Sequence, residues 1–87
     1  MTGKIVVLDT NVLLHDPEVP YRFDYLRVVI PVQVVEEIDR FKKDHYEIGH
    51  NARRISKLLD SYRARGSLAD GVPIEGTNHG LLQVIFC

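Results

Sequence analysis

The feature that most constrains this chain is a short β-branched run ending on a carboxylate. Lys4-Ile5-Val6-Val7-Leu8 is nearly continuous in apolar residues and stops at Asp9-Thr10-Asn11. Such a run reads as a buried, parallel strand. Asp, Thr and Asn all favour helix N-caps. A short helical turn is therefore expected at Val12-Leu13-Leu14-His15, stopped by Asp16-Pro17. Residues 16–25, with Pro17, Pro20 and two tyrosines, read as irregular or weakly helical.

A second apolar strand follows at Arg27-Val28-Val29-Ile30, with Pro31 at a favourable first-turn position for a helix. Val34, Val35, Ile38 and Phe41 then recur at helical spacing. Residues 42–50 are polar and include Gly49, which reads as a loop. Ala52, Ile55, Leu58, Leu59 and Tyr62 share one face of a second long helix, with Gly66 as its stop. Residues 68–74 and 81–86 flank the turn-rich segment 75–80, the pattern of a β-hairpin. The expected fold is α/β, with a short parallel sheet, flanking helices and a C-terminal hairpin. Leu81 to Cys87 is apolar to its last residue, and a bare apolar edge invites pairing. The expectation is a chain cut off inside a larger domain, with a terminal strand able to pair with a second copy.

Composition narrows the function classes. At 87 residues the chain forms one small domain at most, and 45% hydrophobic with 26% charged residues is ordinary globular composition. No apolar run is long enough to span a membrane or to serve as a secretory signal, so a cytoplasmic location is expected. The single cysteine, Cys87, excludes an internal disulfide and a cysteine-built metal site. The four histidines lack zinc-site spacing, and no Gly-rich phosphate loop is present. The net charge of −1 conceals a strong asymmetry. Residues 1–39 carry three basic and seven acidic residues, and residues 40–65 carry eight and three. An acidic head before a basic stretch is compatible with a metal site beside a phosphate-binding surface, and equally with a solvated basic helix face.

Single residues can be weighed against that pattern. In open α/β sheets, ligands sit at the carboxyl ends of strands, where Asp9 stands. Its alternative role is a helix cap, and the same holds for Asn11, which can orient a carboxylate or a metal-bound water. At about 100° per residue, Glu37 lies roughly 90° from the centre of the apolar stripe and Glu36 roughly 170°. Glu36 therefore points to solvent, while Glu37 borders the core and can reach toward the end of the first strand. Asp39 falls on the opposite border. Asn51 lies at the edge of the next apolar face, either as a cap or reaching the site. Arg53 points outward and Arg54 sits on the flank, the better placed of the two for phosphate.

Ile5-Val6-Val7-Leu8-Asp9-Thr10-Asn11-Val12-Leu13-Leu14 resembles the opening of a PIN domain. Val28-Val29-Ile30-Pro31 running into Val34-Val35-Glu36-Glu37-Ile38 is similar to that family's second motif, whose acidic position is Glu37 here. Leu14-His15-Asp16-Pro17, Phe41-Lys42-Lys43, Gly49-His50-Asn51-Ala52-Arg53 and residues 65–72 resemble the PIN domain of PhoH-like proteins. In those proteins the PIN domain precedes an ATPase domain with a P-loop. The resemblance implies a Mg²⁺- or Mn²⁺-dependent ribonuclease acting on RNA phosphodiesters. Asp9 and Glu37 would be the metal ligands and catalytic carboxylates, supported by Thr10, Asn11 and Asn51. Arg53, Arg54 and Lys57 would contact nucleic acid. The family's acidic cluster is completed by aspartates from the second half of the domain. Asp60, Asp70 and Glu75 do not sit in matching motifs, so residues 1–87 hold about half of such a site and are expected to be weakly active or inactive. His50 stands where arginine is more usual, which removes a fixed positive charge. The alternative is a non-catalytic module that binds RNA or a protein through a degraded PIN fold.

Overall fold

A computed structural model describes residues 4–86. Cys87, the sole cysteine, lies outside them. In chain order the elements are β1 (Ile5–Val7), α1 (Thr10–His15), a 3-10 turn (Val19–Arg22), β2 (Arg27–Pro31), α2 (Val32–Phe41), α3 (Glu47–Arg63), β3 (Val72–Pro73) and β4 (Leu81–Ile85). They form one four-stranded sheet in the order β1-β2-β4-β3. β1, β2 and β4 are parallel, and β3 runs antiparallel to β4. The expected α/β class, short parallel sheet and C-terminal hairpin are all present.

The pairing register explains the core. Val6, Val28 and Leu82 stand side by side, as do Ile30 and Val84. Because side chains alternate along a strand, these five residues share one sheet face. That face packs on Leu13 and Leu14 of α1, Val34 and Ile38 of α2, and Ala52, Ile55, Leu59 and Tyr62 of α3. The opposite face carries Ile5, Val7, Val29 and Gln83. Ile5 and Val7 remain 61% and 60% exposed, so β1 is an edge strand buried on one side only. The fully buried strand is β2, whose Val28, Val29 and Ile30 sit between two neighbours.

Two expectations are corrected. α3 begins at Glu47, so Gly49 and His50 are helical and the connection is only 42–46. Polarity marked the loop correctly but not its end, because Gly49 is required by packing rather than by a turn. The C-terminal strand is also not a bare edge. β4 lies between β2 and β3. Past the short β3, the Val84 amide donates to the Leu68 carbonyl at 2.9 Å, and Gln83 Nε2 donates to the Ala69 carbonyl at 2.7 Å. The edge expected to recruit a second copy is thus occupied within the chain, and β1 and the two-residue β3 are the strands with a single neighbour among the described residues. No helix among them is long and apolar enough to cross a membrane.

Candidate active site

β1 delivers Asp9 to the carboxyl end of the sheet. The Leu8 amide still joins the ladder, donating to the Val29 carbonyl at 3.0 Å. The chain then turns into α1 with Asp9 as its N-cap, and one Asp9 carboxylate oxygen accepts from the Val12 amide at 2.9 Å. The capping role is real, and it leaves Asp9 exposed, with a second carboxylate oxygen. The next residue, Thr10, donates its hydroxyl to the Glu37 carboxylate across 27 positions of sequence. This bond brings the half-buried Glu37 of α2 to the first turn of α1, the direction its helical angle indicated. Glu36 is exposed, and Asp39 turns the other way, 3.6 Å from Lys42 and 3.5 Å from the Ser56 hydroxyl.

The remaining expected residues lie elsewhere. Asn11 is exposed, and its carbonyl meets His15 Nδ1 at 3.0 Å. Asn51 is not a cap, because α3 starts four residues earlier. It is buried, and its Nδ2 donates to the Leu14 carbonyl at 2.7 Å. That carbonyl is at the C-terminal end of α1, about 7.5 Å along the helix from Asp9 at 1.5 Å per residue. Asn51 therefore ties α3 to α1 rather than meeting the carboxylates. Arg53 donates to the carbonyls of Lys42 and Asp44 at 2.7 and 3.1 Å, pinning the α2–α3 connection. Arg54 pairs with Glu18 at 2.8 Å, and both side chains are at least half exposed. Arg54 and Lys57 line one cleft with Pro17, Glu18, Tyr21 and Leu58.

Sequence reasoning passed over Tyr21 and Tyr62. The buried Tyr62 hydroxyl donates to that of Tyr21 at 3.1 Å and accepts from the Glu75 amide at 3.1 Å. Burial, then the bond to Tyr62, pushes the Tyr21 phenol up to about 12. Tyr62 was visible as a core position, but its 41-residue link to Tyr21 leaves no periodic signal.

The placement of Asn51 makes a prediction. Asn51→Leu should cost about 1–3 kcal/mol, the usual result of orphaning a buried hydrogen-bonding group. Urea denaturation measures this directly. An unchanged midpoint would mean that the Leu14 carbonyl does not depend on Asn51.

The donors around Thr10 are all oxygens, two from carboxylates and one from a hydroxyl. That is the chemistry preferred by hard cations such as Mg²⁺ and Mn²⁺. The set is small: among the described residues no group of three or more His, Cys, Asp or Glu side chains is placed to hold a metal ion. Asp9 and Glu37 are of the donor type that such a cation prefers.

The sequence profile of the PIN domain matches residues 6–81. The chain belongs to the PIN domain family. It is 50% identical over 73 residues to protein PhoH2 of Bacillus subtilis, a match covering 84% of this chain and 16% of the relative. It is 48% identical over 76 residues to protein PhoH2 of Thermobispora bispora, covering 85% and 17%. Against protein PhoH2 of Mycolicibacterium smegmatis it is 42% identical over 82 residues, covering 93% and 18%. This PIN chain thus spans less than one fifth of the length of these relatives, matching their N-terminal part. No solved structure matches it.

Proposed function

We propose that this chain is the N-terminal portion of a metal-dependent PIN-type ribonuclease domain that hydrolyses RNA phosphodiesters. The observation that carries the reading is the Thr10–Glu37 hydrogen bond, which holds the α2 carboxylate at the residue that follows Asp9 in the chain. Asp9 and Glu37 would hold Mg²⁺ or Mn²⁺, directly or through water. A divalent cation there would supply Lewis-acid charge to a phosphodiester and acidify water. Thr10 fixes the rotamer of Glu37 from the helix turn that Asp9 caps. Asn11, exposed two residues from Asp9, would orient water at the same edge. Two carboxylates provide only part of a hydrolytic centre, so the 87-residue chain is expected to cleave RNA weakly or not at all. In the parent protein, an ATPase domain following the PIN domain belongs to the same proposal.

The test is a Mn²⁺ titration followed by NMR line broadening, on the wild-type chain and on Asp9→Asn. Asparagine still caps α1, so the variant removes charge without removing the helix start. The expected result is broadening centred on Asp9 and Glu37 that is absent in the variant. Diffuse broadening, or broadening indifferent to the substitution, would leave no cation site. It would favour the second reading, a non-catalytic binding module.

A further inference from the structure

The cleft beyond the C-terminal end of α1 combines two chemistries. It measures about 320 Å³ and lies between the 3-10 turn and α3. Pro17, the Tyr21 ring and Leu58 give it apolar walls, while Arg54 and Lys57, one helical turn apart on α3, give it cations. Tyr21 is 39% exposed, yet it is held from one side. Its ring lies 6.5 Å from that of Tyr62, and the two hydroxyls are bonded at 3.1 Å. Tyr62 is itself buried, with the Arg65 guanidinium 5.0 Å over its ring. An aromatic fixed in this way loses little rotamer freedom when a flat ligand stacks on it. The cations differ in availability. Arg54 is partly neutralised by Glu18 at 2.8 Å. Lys57 has no carboxylate within ion-pair range among the described residues.

We infer that this cleft holds one nucleotide of single-stranded RNA, with its base stacked on Tyr21 and an adjoining phosphate between Lys57 and Arg54. Aromatic faces interleaved with cations are the general means of gripping single strands. A duplex keeps its bases stacked inside and offers none to the Tyr21 ring. Glu18 tempers the site, because its charge opposes the phosphate while it occupies Arg54. The ligand class rests on the RNA reading above, but the cleft geometry does not. The Asp9 carboxylate is at the other end of α1, so the two sites can be tested separately.

The probe is a labelled six-nucleotide oligouridine, titrated into the 87-residue chain in EDTA and followed by fluorescence anisotropy. Tyr21→Ala should weaken binding at least about fivefold, and Tyr21→Phe should lose clearly less, since it keeps the stacking ring and gives up only the hydroxyl bond that holds it. Lys57→Gln should lower the slope of log affinity against log salt by about 0.7, the value for one phosphate of a single strand. Glu18→Gln, by freeing Arg54, should tighten binding about two- to fivefold. In the wild-type chain the oligonucleotide should shift the Tyr21 ring and Lys57 NMR signals, which decides the matter even if Tyr21→Ala does not fold. Wild-type affinity in a folded Tyr21→Ala variant, or no NMR shifts at the cleft, would overturn the inference. Equal binding of poly-glutamate without a Tyr21 ring shift would also overturn it, in favour of an acidic protein partner. Loss of Mn²⁺ broadening alone counts against the metal site only, and loss of RNA shifts alone counts against the cleft only.

Discussion

Ile38→Ala is expected to lower the unfolding free energy by about 2–5 kcal/mol. Ile38 is 1% exposed and sits in the layer where α2 meets α1, α3 and the sheet. The substitution removes three carbons, about 0.8 kcal/mol each in lost burial, before any cavity term. A domain of this size has only about 4–13 kcal/mol in total. The loss is therefore a large fraction of the total, and urea denaturation should show the shift in midpoint directly. Val35→Ala, on a partly buried neighbour, should cost clearly less. The loss has a functional consequence. Ile38 follows Glu37 and helps to seat α2 against the core, so Mn²⁺ broadening at Asp9 should weaken in parallel. A loss under about 1 kcal/mol would mean that α2 does not anchor the core at this position.

How much of this could be read from the residues depends on the range of the interaction. β1 and β2 follow from short β-branched runs, and α2 from apolar residues at helical spacing. The direction of Glu37 follows from one angle on a helical wheel, because that angle depends only on its own helix. The resemblance carried by Asp9-Thr10-Asn11 and by the Pro31–Ile38 segment supplied the family. The contacts that sort the remaining polar residues are non-local. Asn51 finds the Leu14 carbonyl 37 residues away, and Arg54 finds Glu18 36 residues away. Neither pairing has a period, so the sequence left Asn51 open between cap and site. It likewise grouped Arg53, Arg54 and Lys57 as nucleic-acid contacts, although Arg53 is occupied with the loop carbonyls. Strand order is non-local for the same reason. The apolar tail has the composition of a strand, but only pairing shows β4 enclosed between β2 and β3.

Gly49 shows such a misreading in a single residue and gives the second large effect. Helix propensity alone predicts that Gly49→Ala stabilises α3 by about 1 kcal/mol. The structure reverses the sign. A Cβ at position 49 would lie 1.9 Å from the Asp44 carbonyl oxygen and 2.6 Å from its carbonyl carbon. That neighbour is backbone, and it is tied on several sides. The Asp44 amide donates to the Phe41 carbonyl at 3.0 Å. Its carboxylate accepts from the Tyr46 amide at 2.8 Å, and its carbonyl accepts from Arg53 at 3.1 Å. Room for a methyl can come only from breaking part of this network or from pushing α3 away from the loop. Either should outweigh the propensity gain, for a net loss of about 1–3 kcal/mol in urea denaturation. Gly66→Ala is the matched control, since its nearest atom would be a Val72 methyl at an ordinary 3.6 Å. That variant should be neutral or slightly stabilising. Gly49→Ala melting above the wild type would show that the loop yields freely, and that Gly49 is merely tolerated in α3. A loss confined to position 49 would show instead that the glycine lets the 42–46 connection close against the first turn of α3.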